Sequence, residues 1–578
     1  MMSVRMISSC QFLACLVWVG LGAAAMGQGG LEPSAGPAPM MKTLDQVEPR
    51  IPIDGSTALT NPGSYYLTDN ITGTITIASS HVTLDLMGFR VRSEGGSAAA
   101  GAPAILVDGP HANVVIRNGS VSSQFGDAID ATAGEPNSMG RIEYIRVDQA
   151  YQRGIAVESG YVVENCFVQG ADVAGIWIGG NSTVINNTMT GNNIGLYMSH
   201  SPLHLAQNAR VEGNIVYGNI NNYELVPGNH IHLLLSEIPV VINVPLKATL
   251  VSDLYMPLEL VEHGISVESD YVVIDLAGHQ LIGPGFPSGS AVFQDSMWRN
   301  LHLKNGIVRD WMGNESDVWD AVRAFGSYSR VENITAVNNI SGFILGYAAY
   351  ADNLHAVSNQ LDGIRMFFEC FMQNSFAVHN GRDGFYTAAS RSKMESCVAS
   401  RNGRHGFHLE TGGKLSHCGA FVNAESGFHG QNMKLLNVEG SANLDGVHLT
   451  AANAMIRDSR FHANYRYGIR LGNRADVRDN VISRNGFFSA VDGIGLFVEG
   501  ENNQISGNTL IGNQEGVVVT GVNNILTGNR VSSSDELNWN IAASNVCFVV
   551  EGMTGGAFTG DSGGAGIGTF DPYANFTF

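Results

Sequence analysis

The chain has 578 residues, 70 of them glycine, only 15% charged, and a formal net charge of −20. So acidic a protein is excluded as a general nucleic-acid binder and as a protein that docks on an anionic membrane surface. Its low charge with 44% hydrophobic residues suits a core long in one direction. In chain order, residues 1–27 come first: Arg5, an apolar run from Phe12 to Ala25 and small residues after it predict a secretory signal peptide. The apolar run is too short for a comfortable membrane span, and no other segment qualifies, so the mature chain is expected to be secreted, extracellular or periplasmic. "GGLEPSAGPAP" opens a linker and N-terminal cap over 28–50.

From residue 51 the dominant signal is a repeat. The glycines Gly342, Gly363, Gly384, Gly406, Gly427, Gly446, Gly468, Gly495 and Gly516 are spaced by 21, 21, 22, 21, 19, 22, 27 and 21 residues, and Gly154, Gly175 and Gly195 by 21 and 20. An Asn precedes many of them by three or four residues, as with Asn338, Asn359, Asn380, Asn402, Asn423 and Asn443. Segments such as "GFHLE", "GIRLG" and "GVVVT" are short and alternating, as strands are, and no stretch has a sustained helical period. A unit of about 21 residues made of strands and turns is one coil of a parallel β-helix. A hexapeptide repeat, the mark of the left-handed form, is missing, so the fold class predicted is all-β, a right-handed parallel β-helix.

The repeat is itself repeated. "ALTNPGSYYLTDNITGTITIASSHVTLDLMGF" (58–89) aligns without gaps on "TLVSDLYMPLELVEHGISVESDYVVIDLAGHQ" (249–280). Two halves, 51–225 and 226–535, followed by a Gly-rich cap or tail over 536–578, are expected. Asp85 and Asp275 correspond between the halves; each sits in a near-continuous apolar strand, which favours a turn or ladder role over catalysis.

Units such as "EGENNQISGNTLIGNQEGVVVTGVNNILTGN" resemble the pectin-lyase-like superfamily of parallel β-helix proteins, over roughly residues 50–535. The resemblance implies the fold and a range of activities, from polysaccharide lyases, hydrolases and epimerases to non-catalytic surface proteins. None of the short catalytic signatures of those enzymes is present.

In a strand, neighbouring side chains face opposite sides. The residue after each repeat glycine (Ile364, Phe385, Phe407, Phe428, Val447, Ile469) is apolar and predicted inward. The next one is then outward, giving the file Arg365, Tyr386, His408, His429, His448, Arg470 on six consecutive coils. Residues 362–470 carry 12 Lys/Arg against 9 Asp/Glu, a net of +3 inside a chain of −20, and 7 of the 17 histidines.

This strip suggests a surface for an acidic, uronate-containing polysaccharide or other glycan. Arg365 and Arg470, with Glu410 beside them, would bind substrate. One of His408, His429 and His448 would take a proton in a lyase or epimerase reaction, and Tyr386 would give one. A non-catalytic glycan-binding or surface-structural protein is the alternative, since duplicated coils inherit exposed ladders without any function. No cofactor is evident, although a Ca2+ requirement stays open. No metal site is expected, because imidazoles one coil apart need convergence and no carboxylate or thiolate joins the file. A monomer is expected.

Two further features were weighed. "TGDSGG" around Ser562 resembles the surroundings of a serine nucleophile, but no partner histidine segment accompanies it. Cys397 and Cys418 lie one coil apart, in a column shared with Ser375 and Ser459, and are expected as buried free thiols, with a disulfide between the stacked pair as the alternative.

Overall fold

The computed structural model describes residues 50–578 apart from 95–100, 134–138, 201–204, 259, 261, 313–319, 389–390, 487–492, 552–557 and 561–570. The predicted signal peptide, most of the predicted linker and Ser562 therefore lie outside the described residues. The body from Ile51 to Phe578 is one compact unit. Among the described residues no α-helix is found and the paired strands are parallel; the chain forms a right-handed parallel β-helix.

Each coil contributes strands to two sheets. The larger, of 40 strands, runs the length of the stack and bends within each coil at a residue in a left-handed conformation, as at Ser396 (φ 54°) and His417 (φ 55°). The remaining face is built from an 8-stranded sheet ending at Glu224 and a 15-stranded sheet beginning at Val240. The larger sheet crosses that break unbroken, through Arg210–Tyr217, His230–Leu235 and Lys247–Leu250.

The predicted phase holds. Phe407, Phe428 and Val447 are fully buried, and Phe385, Phe407 and Phe428 stack at centroid spacings of 4.7 and 5.2 Å. The repeat glycines owe their place to crowding rather than to an unusual φ: a Cβ on Gly406 would meet the carbonyl oxygen of Gly427 at 2.7 Å. Only glycine lets successive coils approach so closely there.

The asparagine file is a buried amide ladder. Asn402 donates its side-chain N–H to Asn423 Oδ1 (2.9 Å) and to the carbonyl of Ala377 (3.0 Å), while its backbone N–H donates to the same Asn423 Oδ1 (3.1 Å). The left-handed residue is the one before each Asn, and it need not be Gly or Asn. Arg401, Val422, Ala442 and Ala463 have φ between 53° and 60°. A β-branched residue in that region is costly, so the ladder, not the local residue, fixes the turn. In one coil this corrects the reading by one position: Asn338 is the left-handed residue, and Asn339 is the ladder member.

Asp85 and Asp275 have the turn role expected of them. Each accepts the backbone N–H two residues on, of Met87 and of Ala277, both at 3.0 Å. All five cysteines of the described body are buried, and none of them forms a disulfide.

Candidate functional site

The strip exists as one register-matched file. Ile344, Arg365, Tyr386, His408, His429, His448, Arg470 and Phe497 pair in succession across the 15-stranded sheet. Their environment differs from the expectation. The three imidazoles are half-buried rather than exposed, with His408 only 14% accessible. They pack edge-to-face, His408 on His429 and His429 on His448, both at 5.0 Å.

Nor are the arginines free. Arg470 makes a two-pronged ion pair with Glu499 (3.1 and 2.8 Å), and Arg365 lies 3.7 Å from buried Asp362 and 5.6 Å over the Tyr386 ring. The Tyr386 hydroxyl donates to Glu410 at 2.7 Å. Burial, and then that bond, push the phenol up to about 12, which makes it a poor acid near neutrality.

The imidazoles are buried because a second, internal column stands beside the file: the residue just before each repeat glycine. It reads Asp320, Ser341, Asp362, Asp383, His405, Ser426, Asp445, every one buried. The sequence carries a signal for it. In "GRDG", "GRHG" and "YRYG" an Arg precedes the column by one residue, and it reaches back one coil to an acid. Arg404 clasps Asp383 with both prongs of its guanidinium, and Arg466 does the same to Asp445 at 2.9 and 2.7 Å. Such forks are the strong form of the ion pair.

Asp383 also takes a hydrogen bond from the outward file, with His408 Nδ1 2.9 Å from its Oδ2. A carboxylate therefore does join the histidines, against the sequence reading. Burial alone would raise its pKa, but the bonds from Arg404 and His408 hold it far below the usual carboxylate range. Nδ1 of His408 also lies 3.0 Å from Arg404 Nη2; in the tautomer that donates from Nδ1 to the acceptor-only carboxylate, Nε2 keeps its lone pair.

Asp383, His405 and His408 place donor atoms within 4.8 Å of one another. As a metal cage this trio is poor. Both oxygens of Asp383 are engaged by Arg404 and His408, and His405 Nδ1 accepts the backbone N–H of Ser426 at 3.2 Å. With that nitrogen occupied, neutral His405 carries its proton on Nε2, which faces Glu425 at 3.3 Å. His405 serves instead as a platform, stacked on His429 at 4.1 Å with the rings 1° from parallel.

The better donors lie in the outward file. His429 Nδ1 is buried without a hydrogen-bond partner. Burial first, then the neighbouring histidines, push His429 down to about 4; burial and then His429 push His405 down to about 3; burial and then Arg470 lower His448. These rings are neutral at neutral pH, the form that ligates metals.

With this geometry described, the chain was compared with known proteins. Residues 413–546 match the NosD family, described as periplasmic copper-binding proteins. The match covers less than a quarter of the chain and takes in His429 and His448, but not Asp383, His405 or His408. NosD proteins are right-handed parallel β-helices, in agreement with the fold. No curated protein matches the chain. The periplasmic family agrees with an exported protein, and no helix of the described residues is long and apolar enough to cross a membrane.

Proposed function

We propose that this exported β-helix protein binds a copper-class cation on the imidazole face of its 15-stranded sheet. The observation that carries the reading is the buried, unpartnered Nδ1 of His429, between His408 and His448 in one packed file. A buried polar atom without a partner costs roughly 1–3 kcal/mol, a cost that a bound cation would remove. His408, His429 and His448 would hold the cation, and an all-imidazole set suits copper among the first-row metals. Asp383 orients His408, Arg404 neutralises Asp383, and His405 backs His429. The similarity to a family described as copper-binding supports the same reading.

The test is copper titration of the mature protein by calorimetry, with X-ray absorption to read the donors. Tight binding with a nitrogen-only shell, lost in His429→Ala and in His448→Ala, is expected. Binding unaffected by either substitution would exclude the file.

A second reading keeps the wider kinship with the pectin-lyase-like superfamily and an acidic glycan as substrate. It is favoured by one feature: an imidazole oriented by a buried carboxylate, with its other nitrogen free, is a general base in waiting. Against it stand the neutralised arginines Arg365 and Arg470 and the weak acid Tyr386. Incubation with a panel of uronate oligosaccharides decides it, since a lyase gives unsaturated products and an epimerase alters the sugar, whereas copper binding gives neither.

A further inference from the structure

The chain contains six lysines against twenty-six arginines. Three of the six, Lys393, Lys414 and Lys434, stand on consecutive coils, register-matched neighbours in the 40-stranded sheet and all exposed. Like charges directly opposed across strands destabilise a sheet. No ion pair of any of the three is found among the described residues. The nearest acids are otherwise placed: Glu369 is held by Arg391 at 3.0 Å and Tyr347 at 2.9 Å, and Glu395 lies on another register file, opposite Gln373 and Ser416. The file continues through Phe371 and Tyr350, half-buried rings stacked at 5.9 Å. A cleft of about 780 Å³ opens along it, with Gly412 and Gly413 among the residues that line it.

We propose that this face binds a linear polysaccharide carrying sulfate or phosphate esters, with Lys393, Lys414 and Lys434 each meeting one ester group. Three features of the file point to such a ligand. First, cations recurring at the ~4.8 Å coil spacing match a chain with regularly spaced anions. Second, the residue type selects the anion. A planar carboxylate is best met by the two-pronged guanidinium, which this chain uses almost everywhere else, whereas an ammonium is a point charge that serves a tetrahedral oxyanion from any direction. Third, the half-buried rings of Phe371 and Tyr350 offer apolar surface for sugar rings in line with the charges, which a bare polyphosphate would not use. The site shares no residue with the imidazole file, and neither reading depends on the other.

The experiment measures binding of dextran sulfate, inorganic polyphosphate, polygalacturonate and neutral dextran, of matched length, to the mature protein near 0.1 M salt. Dextran sulfate should bind at least about fivefold more tightly than polygalacturonate, and neutral dextran should not bind. Lys393→Gln/Lys414→Gln/Lys434→Gln should weaken dextran sulfate at least about tenfold and flatten the salt dependence by roughly two in log–log slope, as fewer counterions are released. Lys247→Gln, an exposed lysine on a distant coil, should change neither, and copper uptake should be the same in all variants. Phe371→Leu should weaken dextran sulfate and leave polyphosphate unchanged. Equal binding by the triple variant overturns the site. Polygalacturonate as tight as dextran sulfate overturns the oxyanion assignment, and polyphosphate as tight overturns the sugar platform.

Discussion

The two halves of the stack carry the same framework and decorate it differently. In the first half Asp127, buried before its strand, is gripped by Arg153 from the next coil, Nε to Oδ1 at 3.0 Å and Nη2 to Oδ2 at 2.5 Å. In the second half Arg404 grips Asp383 in the same way. The outward file beside Asp127 reads Leu106, Asp130, Ala156, Trp177, Tyr197; the one beside Asp383 reads Arg365, Tyr386, His408, His429, His448. What the halves share, a carboxylate clasped across one coil, is architecture. What only the second has is a packed imidazole file tied to that carboxylate, the face proposed above to hold the cation. Electrostatics follows: burial wins at Asp127 and raises its pKa, whereas at Asp383 the bond from His408 adds to that from Arg404 and lowers it.

Four outcomes test this comparison. Asp127→Ala and Asp383→Ala each remove the buried acid that a part-buried guanidinium clasps and should each cost up to ~3–5 kcal/mol, read from denaturant midpoints. A large cost in one half and a negligible one in the other would refute the shared framework.

Asp320 stands in the same column as Asp383 but lacks a guanidinium fork. Burial pushes it up to about 6, partly opposed by Arg365 and Arg323. Its folded pKa is raised, so the folded state holds a proton that the unfolded state releases. Stability should fall as pH rises from about 4 to about 6, by up to about 3 kcal/mol. Asp320→Asn should remove that slope, and an unchanged pH profile in the variant would show that the group does not titrate there.

Asp383→Asn, which keeps the shape but weakens the hold on His408, should reduce copper affinity ~10–100-fold. Asp127→Asn should leave copper affinity as it is. Equal effects of the two on copper would mean that the imidazole file is not the site.

The smallest effect is expected at the rim. Arg470→Ala breaks an ion pair that is part exposed and should cost no more than about 1 kcal/mol. A larger loss in the thermal midpoint would make Arg470 part of the framework.

The coil length, the inward phase of Phe407, Phe428 and Val447, the matching turns at Asp85 and Asp275, and the outward file from Arg365 to Arg470 are all legible in the amino-acid order. These follow from periodicity, because in a solenoid each residue's face is set by its place in its own coil. The tertiary structure alone decided the rest. His408 meets Asp383 and His405 stacks on His429 across coils, contacts 25 and 24 residues apart in the chain. Alternation cannot show how far an outward side chain is covered by its neighbours, so the histidines read as exposed when ring-on-ring packing half-buries them. The asparagine file was legible as a ladder, but its exact member at residue 339 was not, since the left-handed residue beside it is fixed by the amide stack rather than by its own preference. The lysine file was equally open to reading at its 21- and 20-residue spacing. It needed the register of the larger sheet to show that three cations share one edge of one cleft, with the aromatic rings in line.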